Sequence, residues 1–501
     1  MKSRYIKYLA IFALGLPLLS SCDKDYLEVD PRGTVLESTY YKNPEEAFAG
    51  LVAAYDPLGW EAGTTYHNVG AINAASDDAY AGGGSSSDMN TWQVWNNYTL
   101  DPAVGPQEEF WDRNFTGVSR ANTLLAKLQA GIPGLDEATT ARYIAEAKFL
   151  RAYYYFDLVR LFKNVPLFTA PLSTEEIYNV TQASPEEVYA QIEKDLTEAI
   201  PDLPTTVPAA TEGGRATQGT GKALLGKVYL YEEKWADAAN QLKDVNGEPG
   251  ATSQYGYKLL DNYGAIFSPD NKFNSESILE IVHTSVANGG WGSWPNFEGN
   301  VGVQMFGPRG YAGPIYEAGW GFNPLTLDLV NAIKPDPRYK FTVANIDSIA
   351  EAGSATYEKG YQNTGYFIEK YAPKTKWLST GGGDAVLNYP NDYIEIRLAD
   401  TYLMEAEALI QSGGNLERAA ALLNAVRARV GLAPVAATLD NVYKERRLEL
   451  ATEGHRWYDL VRTGRASTVL APMGFVAGKH EILPIPLVEL NNTKLVQNPG
   501  Y

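Results

Sequence analysis

Hydrophobic and polar positions along this chain recur mostly with the period of a helix. Between residues 141 and 162, Tyr143, Ala147, Leu150, Tyr154, Leu158 and Leu161 return every three or four positions. That spacing gathers them on one face and predicts an amphipathic helix. Ser184-Pro185-Glu186-Glu187 predicts the start of another, ending near Ile200 before Pro201. A hydroxyl caps it, proline loses nothing in the first turn, and the acids meet the positive end of the helix dipole.

Leu225-Gly226, Tyr229, Ala238 and Leu242 fall at the spacing of a tetratricopeptide repeat, with Lys222 where that repeat carries tryptophan. A second helix pair is expected over 393–409 and 415–430, turned by Gly413-Gly414, and a further helix over 442–462. Such pairs cannot bury their apolar faces alone, so they must stack. Residues 277–282 read as a strand. Residues 56–110 and 246–325 lose the period and fill with Gly, Pro, Asn, Trp and Tyr. Long irregular insertions on a rigid scaffold are the usual seat of function. The expected fold is mainly α: about four tetratricopeptide-like helix pairs carrying large irregular insertions and a few short strands. The helical region at 41–245 is followed by a second region at 246–501 that holds the binding loops.

The N-terminus departs from this texture. Lys2, Arg4 and Lys7 precede an apolar run at 8–19, too short to cross a bilayer core of about 30 Å as a helix. It ends Leu19-Ser20-Ser21-Cys22, the pattern of a lipobox, and Cys22 is the single cysteine of the 501 residues. No internal disulfide can form, and the thiol is the nucleophile that acylation needs. Residues 1–21 are read as a lipoprotein signal peptide and 22–40 as a lipidated tether. Acyl chains hold a membrane by roughly 0.8 kcal/mol per buried CH₂.

The net charge of −18 becomes −21 without residues 1–21. Such a surface repels nucleic acid and polyanionic glycans and suits neutral ligands. His67, His283, His455 and His480 are isolated, with no His-Glu-x-x-His pair, and Gly221-Lys222 lacks the rest of a phosphate loop. No cofactor and no metal site is expected. Glu445, Glu449 and Glu453 share one helix face, with Arg446, Arg456 and Arg462 near in sequence; they read as a structural ion-pair network rather than catalytic acids.

Three stretches resemble the SusD/RagB family of outer-membrane nutrient-binding lipoproteins. They are the lipobox with its acidic tether to Asp30-Pro31, the run from Glu445-Arg446-Arg447 through His455-Arg456-Trp457-Tyr458-Asp459, and Leu483-Pro484-Ile485-Pro486 with the terminal Asn498-Pro499-Gly500-Tyr501. Gly319-Trp320-Gly321, Asp336-Pro337-Arg338 and Arg397-Leu398-Ala399-Asp400 add to the likeness. The resemblance implies a lipid-anchored outer-membrane protein facing the cell surface. It would capture oligosaccharide without catalysis and deliver it to a SusC-like TonB-dependent transporter. Peptide capture, as in RagB-like members, a surface glycan-degrading enzyme and a scaffold that binds only proteins are the alternatives.

A sugar ring offers an apolar C–H face and a rim of hydroxyls, so its site needs exposed aromatic planes and a few directed polar groups. Trp92, Trp95, Trp291 and Trp294, among glycines and asparagines in the insertions, are the expected stacking residues. Asp77, Asp78, Asn96 and Asn296 are expected to bond hydroxyls, with Tyr316 close by. Trp320 leans toward the core, and Trp111, Trp235 and Trp457 toward helix packing. Lys370, Lys374 and Lys376 beside Trp377 read as a solvated loop rather than a patch for acidic sugars. Protease treatment of intact cells is expected to shave this protein from the surface; a chain left whole would contradict the outward orientation.

Overall fold

The computed structural model describes residues 40–60, 68–286, 289–291 and 298–501. Helix α1 (Pro44–Gly59) starts where the Asn43 side chain accepts from the Glu46 amide, and it packs on α2 (Gln107–Ala130). Asp136 caps α3 (Glu137–Phe162), one turn earlier than the sequence period indicates, and α3 lies between α2 and α4 (Pro185–Ala199). Ser184 and Glu187 form the reciprocal capping box at the start of α4.

The repeat signal marks α5 (Gln218–Tyr231) and α6 (Trp235–Asn246). A Cβ on Gly226 would lie 2.6 Å from Leu242 Cγ, so the two helices approach this closely only because Gly226 has no side chain. Across the chain, α6 packs on α7 (Leu398–Gln411), which pairs with α8 (Leu416–Arg429). One hydrophobic cluster runs from Ala47 to Ile485. Among the described residues no helix is long and apolar enough to cross a membrane.

Two expected helices are interrupted. Residues Tyr393–Arg397 form strand β2, antiparallel to β1 (Ser277–Ile281), with Tyr393 opposite Ile281 and Arg397 opposite Ser277. The helix begins only at Leu398. Alternating Ile394 and Ile396 are both buried, and a strand partner supplied far along the sequence decides the conformation. The element over 442–462 is likewise two helices, α9 (Leu439–Glu449) and α10 (Arg456–Arg462), joined by a turn through Thr452 and Gly454 with φ of 71° and 78°. The Glu449 carbonyl accepts from Tyr263 Oη, Lys370 Nζ and Arg397 Nη2 at 2.7, 3.0 and 2.8 Å. It is thereby lost to any continuing helix.

Those bonds belong to a buried charge cluster. Arg397 reaches Glu276 at 2.9 Å, Glu449 at 2.6 Å and Glu453 at 2.7 Å. Arg338 binds Asp336, Glu445 and Glu449 at 2.7, 2.6 and 2.7 Å. Arg429 joins Glu276 to Glu449, Arg427 adds to Glu445, and Lys370 adds to Glu453. Five cations thus face five carboxylates, and the cluster is neutral. The three glutamates are paired as the sequence reading requires, with different partners: Arg446 and Arg462 go to Asp400, Asp459 and Glu407, and Arg456 goes to Asp77.

Burial opposes the charge on Glu449, but Arg429, Arg397 and Arg338 outweigh it and hold the carboxyl well below its usual range. Burial likewise opposes the charge on Glu453, and Arg397 and Lys370 hold it low. Folded carboxyls with lowered pKa contribute stability above the ordinary carboxylate range, and that stability is lost as pH falls through their folded values. Removing one partner leaves buried charge unpaired, which costs about 3–5 kcal/mol. Glu449→Gln is expected to lower unfolding stability by about that much at pH 7, with a smaller deficit in acid where the wild-type carboxyl is also protonated. Equal denaturant midpoints for the two proteins at pH 7 would contradict this.

Candidate functional site

The structure divides the tryptophans of the insertions. Trp92 and Trp95, three residues apart on the short helix Asn90–Asn96, share one face and are wholly buried. Trp92 meets Phe322 edge-on at 5.6 Å, and Trp95 fills the space between Phe110 and Trp457 at 5.9 and 5.2 Å. They are core residues, which corrects their assignment as a stacking surface. The helical period governs here, and it points both rings inward.

Their polar companions are also structural. Asn96 donates to the Ala74 carbonyl at 2.7 Å and accepts from Gln362 at 3.1 Å. Asp77 forms a two-pronged pair with Arg456 at 2.8 and 2.9 Å, and Arg447 spans Asp77 and Asp78 at 3.0 and 2.8 Å. Burial raises the Asp78 carboxyl, partly offset by Arg447. Burial also opposes the Asp77 charge, but Arg456 and Arg447 win and hold it low. These acids fasten the early loop to α9 and α10 instead of facing ligand. Tyr316 is buried and donates to Glu369 at 2.7 Å, beside Tyr311 at 5.4 Å. Lys370 belongs to the charge cluster, contrary to its reading as part of a solvated loop, while Lys374 and Lys376 lie over the Trp377 ring at 5.7 and 4.2 Å.

Trp291 is different: it is 52% exposed. Its ring lies 6.0 Å from that of Trp320, with 30° between the planes, so the two indoles form a bent aromatic platform. Each ring is held by backbone. The Trp291 amide donates to Asp384 Oδ2 at 3.0 Å, the Asp384 amide donates to the Gly289 carbonyl at 3.0 Å, and Asn388 Nδ2 donates to the same carbonyl at 2.8 Å. The Trp320 amide donates to the Gln304 carbonyl at 3.0 Å. A Cβ on Gly319 would sit 2.2 Å from the Gly307 backbone, so only glycine allows the ribbon carrying Trp320 to cross there.

Arg309 lies beside the backbone of this ribbon. It donates to the Trp320 carbonyl at 3.2 Å, lies 3.5 Å from the exposed Glu358, and approaches the Gly84 turn. Trp294 and Asn296 lie outside the described residues. Sequence reasoning did not single out Arg309 or Asp384, and it placed Trp320 toward the core, where the structure finds it half-buried and beside Trp291. The available signal was the flanking of Trp320 by Gly319 and Gly321, the same setting that singled out Trp291 after Gly289-Gly290. Among the described residues no three His, Cys, Asp or Glu side chains are grouped to hold a metal ion. The platform can stack on an apolar ring face and bond its rim.

The family model described as the SusD family matches residues 303–501, and the one described as starch-binding, associating with outer membrane, matches residues 25–230. A solved laminarin-binding SusD-like protein is 51% identical, with a TM-score of 0.89 over 92% of this chain and 100% of that one. Surface glycan-binding protein A from Bacteroides thetaiotaomicron, solved with laminarihexaose, is 28% identical with a TM-score of 0.83 over 91% of this chain and 99% of that one. The starch-binding protein SusD of the same organism is 26% identical over 74% of each chain. The long C-terminal match, the earlier match and the near-complete superposition on a close relative agree: the chain belongs to the SusD family.

Proposed function

We propose that this protein captures a neutral, laminarin-type glucan on the Trp291–Trp320 platform, releases it unaltered, and delivers it to a SusC-like TonB-dependent transporter from a lipid anchor at Cys22. The observation that carries the reading is the bent pair of indoles at the surface, while Trp92 and Trp95 are sealed in the core. Stacked rings recognise the C–H face of a sugar, and Arg309 with Asp384 provides directed polar groups beside it. The acidic net charge of −18 favours a neutral glucan over a sulfated or uronic one. The nearly complete superposition on a laminarin-binding relative supports the same class of ligand.

Calorimetric titration with laminarihexaose tests it. Trp291→Ala and Trp320→Ala are each expected to weaken binding about tenfold or more, equivalent to about 1.4 kcal/mol. Trp95→Ala is expected to cost about 3–5 kcal/mol of stability through the cavity it leaves, with affinity retained in the folded fraction. The glucan should be recovered at its original length. Undiminished affinity in both platform variants, or shortened products, would overturn the reading.

A further inference from the structure

A second cleft, of about 200 Å³, opens where the N-terminus of α5 meets β1. It lies below the roughly 300–1,000 Å³ of sites that enclose drug-sized ligands. It therefore suits one or two sugar rings. Its walls are rings and hydroxyls: Tyr257 and Phe273 among them, with Thr205, Thr206, Ser275 and Ser277. Thr205 and Thr206 are exposed at the mouth.

The rings are held firmly. The Tyr257 amide donates to Ser253 Oγ at 3.2 Å, and its hydroxyl lies 3.4 Å from that of Thr217. A Cβ on Gly219 would lie 2.6 Å from the Tyr257 hydroxyl, so the ring rests directly on the start of α5. Phe273 adopts a φ of 51°, a left-handed conformation that is costly for an aromatic residue. Its amide donates to Glu280 at 2.9 Å, and its ring covers Gly213, where a Cβ would lie 2.5 Å away. Strain of this kind persists only where surrounding contacts impose it.

The cleft carries little net charge. Arg215 at its edge is matched by Glu146 and Glu212 at 2.5 and 2.7 Å. Burial and the neighbouring Asp392 raise the Glu280 carboxyl beneath Phe273 above the usual carboxylate range. Gly213, Gly214, Arg215 and Glu280 also border a neighbouring cleft of about 330 Å³ whose floor includes Phe48, Val52 and Val282.

We infer that the cleft walled by Tyr257, Phe273, Thr206 and Ser275 is a second binding site for one or two neutral sugar rings, separate from the Trp291–Trp320 platform. The inference rests on the reading of the protein as a binder of neutral glucan. The geometry sets rigid rings against a hydroxyl-lined wall in a space of sugar size, a surface matched to the C–H face and rim of a pyranose.

Saturation-transfer NMR with the disaccharide laminaribiose tests it in the intact protein. Trp291→Ala should keep at least half of the wild-type transfer to the sugar. Adding Thr206→Trp, which fills the mouth from an exposed position, should abolish what remains, as should adding Phe273→Ala. Transfer that vanishes with Trp291→Ala alone, or that survives both second changes, overturns the second site. No transfer to wild-type protein overturns it too, while calorimetric binding of laminarihexaose would leave the platform reading standing. Absence of hexaose binding with laminaribiose transfer blocked by Thr206→Trp would instead remove the platform and keep the cleft.

Discussion

The fold turns on burying ten charges in one place. Charges leave water only when opposite charges and hydrogen bonds replace it, and each partner then fixes the others. Arg397 is the clearest case, since its guanidinium binds Glu276, Glu449 and Glu453 together and also the Glu449 carbonyl. Glu276 precedes β1, Arg397 ends β2, and Glu449 ends α9. Three chain segments, 121 and 52 residues apart in sequence, are thus held to one point. Such a cluster adds little net stability over an apolar core of the same shape, but it tolerates almost no displacement.

That rigidity reaches the surface through β2. The loop that enters β2 contains Asp384 and Asn388, whose bonds hold the backbone at Gly289 and Trp291. Farther along the chain than Trp320, Asp336 and Arg338 close a local turn that enters the same cluster. The Trp291 backbone is held by the loop that leads into β2, and the Trp320 backbone by Gln304. A ring platform of this kind loses little conformational freedom on meeting a flat ligand, and preorganisation favours binding. The helix pairs contribute the bulk of the core, and the ion cluster sets where the loops between them begin and end.

Much of this was legible in the residues, and the failures have physical causes. The Ser184 cap and the Gly226 close approach follow from local chemistry and stand in the structure, whereas Glu445, Glu449 and Glu453 are ion-paired with Arg338, Arg397, Arg427, Arg429 and Lys370 rather than with the neighbouring Arg446, Arg456 and Arg462. The strand at Tyr393–Arg397 was hidden because its partner lies more than a hundred residues away, so local pattern alone could not choose strand over helix. The break after Glu449 was hidden because three distant donors capture its carbonyl. Asp77 and Asp78 looked like free acids because Arg447 and Arg456 are remote in sequence. Trp92 and Trp95 were ambiguous because a tryptophan pair at helical spacing serves core and ligand equally well; only packing against Phe322, Phe110 and Trp457 decides. Trp320 packs against the core as its pattern indicates, but its ring also meets Trp291, a contact that sequence alone does not show.

Native-state hydrogen exchange measures the central claim most directly, because it reports which segments open only when the whole protein unfolds. If the charge cluster is the anchor, the β2 amides of Ile394 and Ile396 should exchange in the slowest class of the wild-type protein, and Arg397→Met should move them to a faster, local opening together with the amide of Trp291. Exchange of β2 at the rate of exposed loops in the wild type, or rates unchanged by Arg397→Met, would contradict the account.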